Sequence, residues 1–333
     1  MARRLFFIWR DMIAKSDGPV TTFVYDDTEA NMFFTSDVHF DSVYCARKQF
    51  FSDMDQAVER GAKIFIFGDF FDAMNGRFDP RRDMGKVRPE YRRSDYYDYL
   101  VMDSAEKLKK YAPHIAMITP GNHETSVLKN ANTYLTDRLV SALNQAGGTI
   151  VHGGYGGWVR VMFKPKDHFS ATILIKYFHG SGGEAPVTRG VIQTNRQAVY
   201  LPDADIVVNG HSHNSYWVPI ARERVSGKGK QYFDTQHHVR TPGYNQAYGD
   251  GSQGWEIERG GVPKPIGGSF VKLECANDSG TNIRKQITVT SQIHNPQPVT
   301  PIFDTYSGIV FPDRKSTRLN SSHLKLSRMP SSA

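Results

Sequence analysis

Nine residues with oxygen or nitrogen donors suited to divalent cations stand in five short motifs, four of them holding a pair and one a single histidine. Asp37 and His39 stand in "SDVH", Asp69 and Asp72 in "GDFFD", and Asn122 and His123 in "GNHE". His179 stands in "FHG", and His211 and His213 in "NGHSH". Imidazole with carboxylate is the donor set of Mn, Fe or Zn rather than of Mg or Ca alone. Each motif alone is weak, because a lone D-x-H or GHSH is most simply a solvated turn. Their order and setting change this. Each follows a short apolar run of strand length: 31–39, 62–72, 114–124, 171–180 and 204–213. Such runs fit strands buried on both faces. In open α/β sheets, ligands bind beyond the carboxyl ends of the strands, so five such ends can converge on one crevice.

The elements between them fit this placement. Residues 43–62 have helical spacing and end at Gly61; residues 94–113 open on Ser-Asp cap chemistry and stop at Pro113. Strands alternating with helices predict an α/β architecture, here two mixed β-sheets packed as a sandwich flanked by helices. "WVRVMF" and "ATILIKYF" read as a hairpin, and from Ser215 onward the chain is Gly/Pro-punctuated and β-like. Trp158, Trp217 and Trp255 read as core or sheet-packing residues. The adjacent His237 and His238 read as surface residues. His114, His152, His168 and His294 lie outside the motifs and carry no assigned role. The rim "SGGEAP" offers Glu184, with Arg189 just beyond it, as further polar groups.

The ordered set resembles the calcineurin-like metallophosphoesterase superfamily over roughly Met32 to Cys275. The resemblance implies a four-layer αββα sandwich and two divalent metal ions, with Mn favoured and Fe or Zn as alternatives. It implies that Asp37, His39, Asp69 and His213 bind one ion, and that Asp69 bridges to a second held by Asn122, His179 and His211. His123 is then the proton donor to the leaving group, and Asp72 orients it by a hydrogen bond. Phosphoester hydrolysis fits such a site: two ions about 3.5–4 Å apart clamp a phosphate and acidify a bridging water to hydroxide.

The substrate is less defined. Phosphoprotein phosphatases of the superfamily carry Arg after GDxxD and before GNHE, where this chain has Ala73 and Pro120. "GDFFD" with "GNHE" resembles the nuclease and cyclic-nucleotide phosphodiesterase branches. The closing "GWEIERGGVPKPIGGSFVKLE" (254–274) resembles that of bacteriophage metallophosphoesterases. The expected activity is that of a phosphodiesterase or nuclease, with DNA or RNA as candidate partners. The alternatives are a phosphomonoesterase or protein phosphatase, and a non-catalytic nucleic-acid-binding scaffold. Segment 76–93 has seven Lys/Arg against three Asp/Glu and reads as a loop. Its Arg81, Arg82 and Arg88 are candidate phosphate contacts. Tyr91, Tyr96 and Tyr97 could stack bases. A solvated insertion is the equal alternative.

Composition bounds the rest. The chain has 333 residues, 39% apolar and 23% charged, as in ordinary globular proteins. Two distant cysteines, Cys45 and Cys275, make no disulfide framework. The initial "LFFIW" is too short for a signal-peptide core, which predicts a cytoplasmic protein with no membrane partner. Residues 313–333 resemble a translated sequencing adapter and are expected to be non-native and disordered. Without their five Lys/Arg and one Asp, the formal charge falls from +7 to +3, so overall basicity argues little for nucleic acid. The expected divisions are an N-terminal segment (1–30), a catalytic domain (31–285), a truncated C-terminal extension (286–312) and the tail (313–333). Nothing in the sequence fixes the oligomeric state.

Overall fold

The computed structural model describes residues 14–76, 79–165, 170–183, 187–248, 255–258, 260–277 and 283–295. Glu184, His168 and the 296–333 segments named above lie outside them, as does the side chain of Trp255.

The first sheet has the order β13-β12-β3-β4-β5-β6. Its strands are β3 (Glu29–Thr35), β4 (Lys63–Phe67), β5 (Ile115–Thr119), β6 (Val151–His152), β12 (Ile266–Asn277) and β13 (Ile283–His294). β3 to β6 are parallel neighbours, and β12 and β13 join antiparallel. The second sheet has the order β1-β2-β7-β8-β9-β11-β10. It comprises β1 (Ala14–Asp17), β2 (Val20–Tyr25), β7 (Gly156–Phe163), β8 (Ala171–Phe178), β9 (Ile206–Asn209), β10 (Tyr216–Val225) and β11 (Gln231–Arg240). Helices α1 (Arg47–Glu59), α2 (Tyr96–Leu108), α3 (Asn122–Ala131) and α4 (Leu135–Gln145) lie in the crossovers of the first sheet. Helix α5 (Val191–Tyr200) connects β8 to β9, and a short α6 (Trp255–Glu258) precedes β12.

Two apolar layers follow from this. Between the sheets pack Phe23, Phe34, Phe65, Phe67, Val161, Ile175, Tyr177 and Leu273. On the outer face of the first sheet, Phe33, Ile64 and Ile66 meet Phe50 and Met54 of α1, Leu100 of α2, and Leu139 and Leu143 of α4. β4, β5 and β9 are buried on both faces, as their continuous apolar runs predict. β8 is not: Thr172, Leu174, Lys176 and Phe178 alternate with buried residues, because the outer face of the second sheet is only partly covered.

Several sequence boundaries shift. β1 and β2 belong to the second sheet, so residues 14–30 are part of the sandwich. β13 pairs along the whole of β12, so residues up to His294 complete the first sheet. Asp95 precedes α2 but makes no side-chain cap; its carboxylate pairs with Arg93 instead. His237 and His238 are buried, not on the surface. Trp217 is 42% exposed, its indole stacked on His237 and donating to Nδ1 at 3.1 Å. Among the described residues no helix is long and apolar enough to cross a membrane.

Phe65 sits at the centre of the sandwich. Its ring meets Phe23 and Phe34 edge-on, each at 5.6 Å between centroids. Truncation there removes contacts to both sheets and leaves a cavity. Phe65→Ala should lower unfolding free energy by about 3–5 kcal/mol in urea denaturation, with the slope unchanged. A loss below about 1 kcal/mol would show that this layer does not hold the sheets together.

Candidate active site

The nine donor residues meet at one edge of the sandwich. Asp37 and His39 follow β3, Asp69 and Asp72 follow β4, and Asn122 and His123 open α3 just after β5. His179 follows β8; His211 and His213 follow β9. Both sheets therefore contribute the carboxyl ends of parallel-paired strands.

The backbone is bent sharply to reach this geometry. Asp37, His39, Asp69, His211 and His213 all have positive φ, between 50° and 72°. Non-glycine residues held this way cost about 1–3 kcal/mol each and concentrate at functional sites. Glycines admit the crowding. A Cβ on Gly121 would lie 2.2 Å from Asp69 Oδ1, and one on Gly210 would lie 2.4 Å from Ser36 Oγ and 2.6 Å from Asp37 Oδ2.

Two groups of ligand atoms emerge, each within 4.8 Å: Asp37, His39 and His213, and Asp69, His179 and His211. Asn122 Oδ1 lies 2.7 Å from His211 Nδ1 and 3.1 Å from His179 Nε2, within the second group. His179 Nε2 is 3.1 Å from Asp69 Oδ2 and 3.9 Å from Asp37 Oδ1, and His213 Nε2 is 3.3 Å from Asp37 Oδ1. A third group joins His39, Asp69 and His123.

Electrostatics and orphaned atoms show that these residues fit metal ions. Burial alone would raise Asp37 and Asp69. For Asp37, His213 and His179 outweigh burial; for Asp69, His179 and His123 do, and both carboxyls fall well below their usual range. Burial would lower His179, but Asp69 and Asp37 push it up to about 10. A field that holds a proton there so firmly suits a divalent cation equally. His39 Nε2 is buried with no hydrogen-bond partner, while its Nδ1 is held by Asp72 Oδ1 at 2.8 Å. A histidine anchored through one nitrogen by a carboxylate and free at the other is the usual pattern of a metal ligand.

Asp72 engages both His39 and His123. Its carboxylate takes His39 as nearer partner and stands 3.5 Å from His123 Nδ1. The peptide carbonyl of Asp72 holds His123 instead, accepting from Nδ1 at 2.6 Å. This fixes the tautomer, so that Nε2 of His123 faces the site, 4.0 Å from Asp69 Oδ2. Burial lowers His123, but Asp69 and Asp72 outweigh it and raise its pKa.

Two buried carboxylates absent from the expected set hold the loops. Glu124 Oε2 accepts from the backbone N–H of Asp69 at 3.1 Å and of Gly121 at 2.8 Å, and Oε1 accepts from Phe71 N–H at 2.9 Å. It ties the β4 loop to the β5 loop, and burial beside Asp69 pushes its pKa up to about 7. The second is Asp41, which accepts from the N–H of Asp72 at 2.7 Å and of Ala73 at 3.0 Å, and from Tyr96 Oη. Arg240 supports the β9 loop by donating to Gly210 O at 2.7 Å. The final Glu of "GNHE" was a readable signal, being the N3 residue that follows a helix start. Asp41 and Arg240 have no local signature.

The basic loop is largely pinned to the body. Arg88 donates to the carbonyls of Ser42 and Cys45 and is not in the cavity lining. Tyr91 and Tyr96 are buried and cannot stack bases. Arg82 is exposed and lies outside the cavity lining. Arg81 does reach the cavity, its guanidinium gripped by both oxygens of Asp79.

A family model for calcineurin-like phosphoesterases matches residues 31–215, which hold every donor described above. The chain belongs to the calcineurin-like phosphoesterase family. Its metallophosphoesterase site is thus a hydrolase site for phosphoesters with candidate ligands for two ions. Solved structures similar to it include a predicted phosphoesterase of Streptococcus pneumoniae, at 12% identity, covering 79% of this chain and 98% of that one, TM-score 0.28. GAP50 of Plasmodium, the anchor in the inner membrane complex, matches at 10% identity over 83% and 88%, TM-score 0.37. Vps29 of Chaetomium thermophilum matches at 11% identity over 81% and 100%, TM-score 0.28. No curated protein is significantly similar in sequence.

Glu124→Gln replaces one acceptor oxygen by an amide donor facing backbone N–H groups. It should cost about 1–3 kcal/mol in thermal or urea unfolding of the metal-free protein, and it should raise the metal dissociation constant. Unchanged stability and unchanged metal retention would show that Glu124 does not hold the two loops in register.

Proposed function

We propose that the protein is a dinuclear-metal phosphodiesterase acting on nucleic-acid-type phosphodiesters. The observation that carries this reading is the cavity over the donor cluster. It measures about 770 Å³, with His39, Asp69, Asn122, His123, His211 and His213 on one wall. Arg81, Lys86 and Lys264 stand around the remainder with Tyr44 and Met74. A space of this volume has room for a phosphate with a substituent on each side, which supports the reading. Its cations could meet the further charges of a polyanionic backbone.

The position after "GDFFD" supports the same substrate class. Ala73 is buried, and its N–H is bound by Asp41, so no guanidinium projects from there to grip a phosphomonoester dianion.

Asp37, His39, Asp69 and His213 would hold one ion, and Asp69, Asn122, His179 and His211 the other. When bound, the ions neutralise phosphate charge and make water nucleophilic at neutral pH. The chain's own residues do the remainder. Asp72 Oδ1 fixes the His39 ring, so its Nε2 stays aimed into the site. The Asp72 carbonyl keeps the Nδ1 proton of His123 engaged, which leaves Nε2 to deliver a proton to the departing oxygen. Asn122 presents its amide oxygen to the two histidines that follow β8 and β9.

The test uses manganese-loaded protein with bis(4-nitrophenyl) phosphate and 4-nitrophenyl phosphate. The diester should be turned over at least about tenfold faster in kcat/KM. His123→Ala should lose about 10²–10⁴ in kcat on a poor leaving group while keeping its metal content. A preference for the monoester, or wild-type turnover in His123→Ala, would contradict this reading.

A further inference from the structure

Glu256 stands in the wall of the same cavity as His39, Asp72, His123 and His213. It comes from α6, within "GWEIERGG", far in sequence from every donor motif. Its side chain is half-buried, and among the described residues its carboxylate has no hydrogen-bond or ion-pair partner. Burial raises its pKa, while His213, Lys264 and His39 pull in the other direction. Lys264, the nearby cation, donates instead to Asn214 Oδ1 at 3.1 Å.

The phosphate chemistry gives this group nothing to do. An ionised carboxylate accepts hydrogen bonds and donates none. It repels a phosphate; the nearby cation Lys264 is engaged by Asn214, so the partner it can gain from a substrate is a neutral donor. Such donors lie on the organic part of a substrate, as hydroxyl or amino groups. Tyr44 and Met74 line the same cavity and offer a ring an apolar surface. The cavity as a whole, about 770 Å³, has the volume for such a ring together with the phosphate.

We propose that Glu256 is a specificity-determining residue that accepts a hydrogen bond from a hydroxyl or amino group on the nucleoside-like part of the substrate, while the phosphate occupies the His/Asp wall. This rests on the phosphodiesterase reading above and names what the site selects. It predicts opposite signs for two kinds of ligand. A ligand with donors loses a bond when Glu256 is removed; one without donors loses only a repulsion.

The experiment measures equilibrium binding to manganese-loaded wild type, Glu256→Ala and Glu256→Gln. The probes are adenosine 5′-monophosphate, ribose 5-phosphate and phenyl phosphate. Glu256→Ala should weaken adenosine monophosphate by about tenfold or more, the scale of a hydrogen bond to a charged group. Phenyl phosphate should bind equally or more tightly. Glu256→Gln keeps an acceptor oxygen and should recover part of the loss. Sensitivity of ribose 5-phosphate assigns the bond to the sugar; insensitivity assigns it to the base. Metal content should match wild type in both variants. Equal changes for adenosine monophosphate and phenyl phosphate would overturn the proposal. So would weaker phenyl phosphate binding in Glu256→Ala, since the group would then be donating to phosphate. Metal loss in either variant would overturn it by making Glu256 a ligand. Failure of wild type to bind adenosine monophosphate would overturn the proposal; failure to turn over bis(4-nitrophenyl) phosphate would instead bring down the phosphodiesterase reading, and this inference with it.

Discussion

The structure depends on bringing the carboxylates of Asp37 and Asp69 together at a sheet edge while excluding water from both. They are 0% and 2% exposed and share one histidine, His179, as neighbour. Each charge opposes the other's ionisation. Nothing apolar could stabilise such a pair. Imidazoles and hydrogen bonds do: His123, His179 and His213 surround them, and the backbone N–H groups of His211 and His123 donate to Asp37 Oδ2 and Asp69 Oδ1 at 2.8 Å each. The positive-φ residues, the glycines without room for a Cβ, and the buried Glu124 and Asp41 all hold backbone in place for that arrangement. The cost of those strained residues and buried charges is borne by two large apolar layers on either face of the first sheet.

This explains what the sequence made readable. A ligand must follow its strand directly, so each donor pair is local and its order along the chain survives as a pattern. Continuous apolar runs marked β4, β5 and β9 because both their faces are covered. The hairpin of β7 and β8 followed from two runs joined by a short polar turn. These features depend on neighbours within a few residues.

What escaped the sequence depends on tertiary partners. The engagement of Asp72 with both His39 and His123 is made by where two loops meet. Arg88 looked like a phosphate contact because its neighbours are basic, yet its guanidinium satisfies carbonyls of the segment leading into α1. Tyr91 and Tyr96 were read with the same loop, but their rings fill the helix-side core. His237 and His238 sit on β11, in the half that is buried and that pairs with β9 as well as β10. His294 ends β13 and reaches Asp53 of α1 at 2.8 Å, a contact 241 residues apart in sequence. No periodicity encodes such pairings.

Asp69 belongs to two of the candidate ligand groups, and on the proposed function it would contribute to both cation sites. Metal analysis and low-temperature electron paramagnetic resonance of the manganese-reconstituted protein test it most directly. The account predicts two ions per chain and a spin-coupled signal from neighbouring ions, both reduced together in Asp69→Ala. A single ion per chain, or two ions with only the signal of isolated manganese, would contradict it.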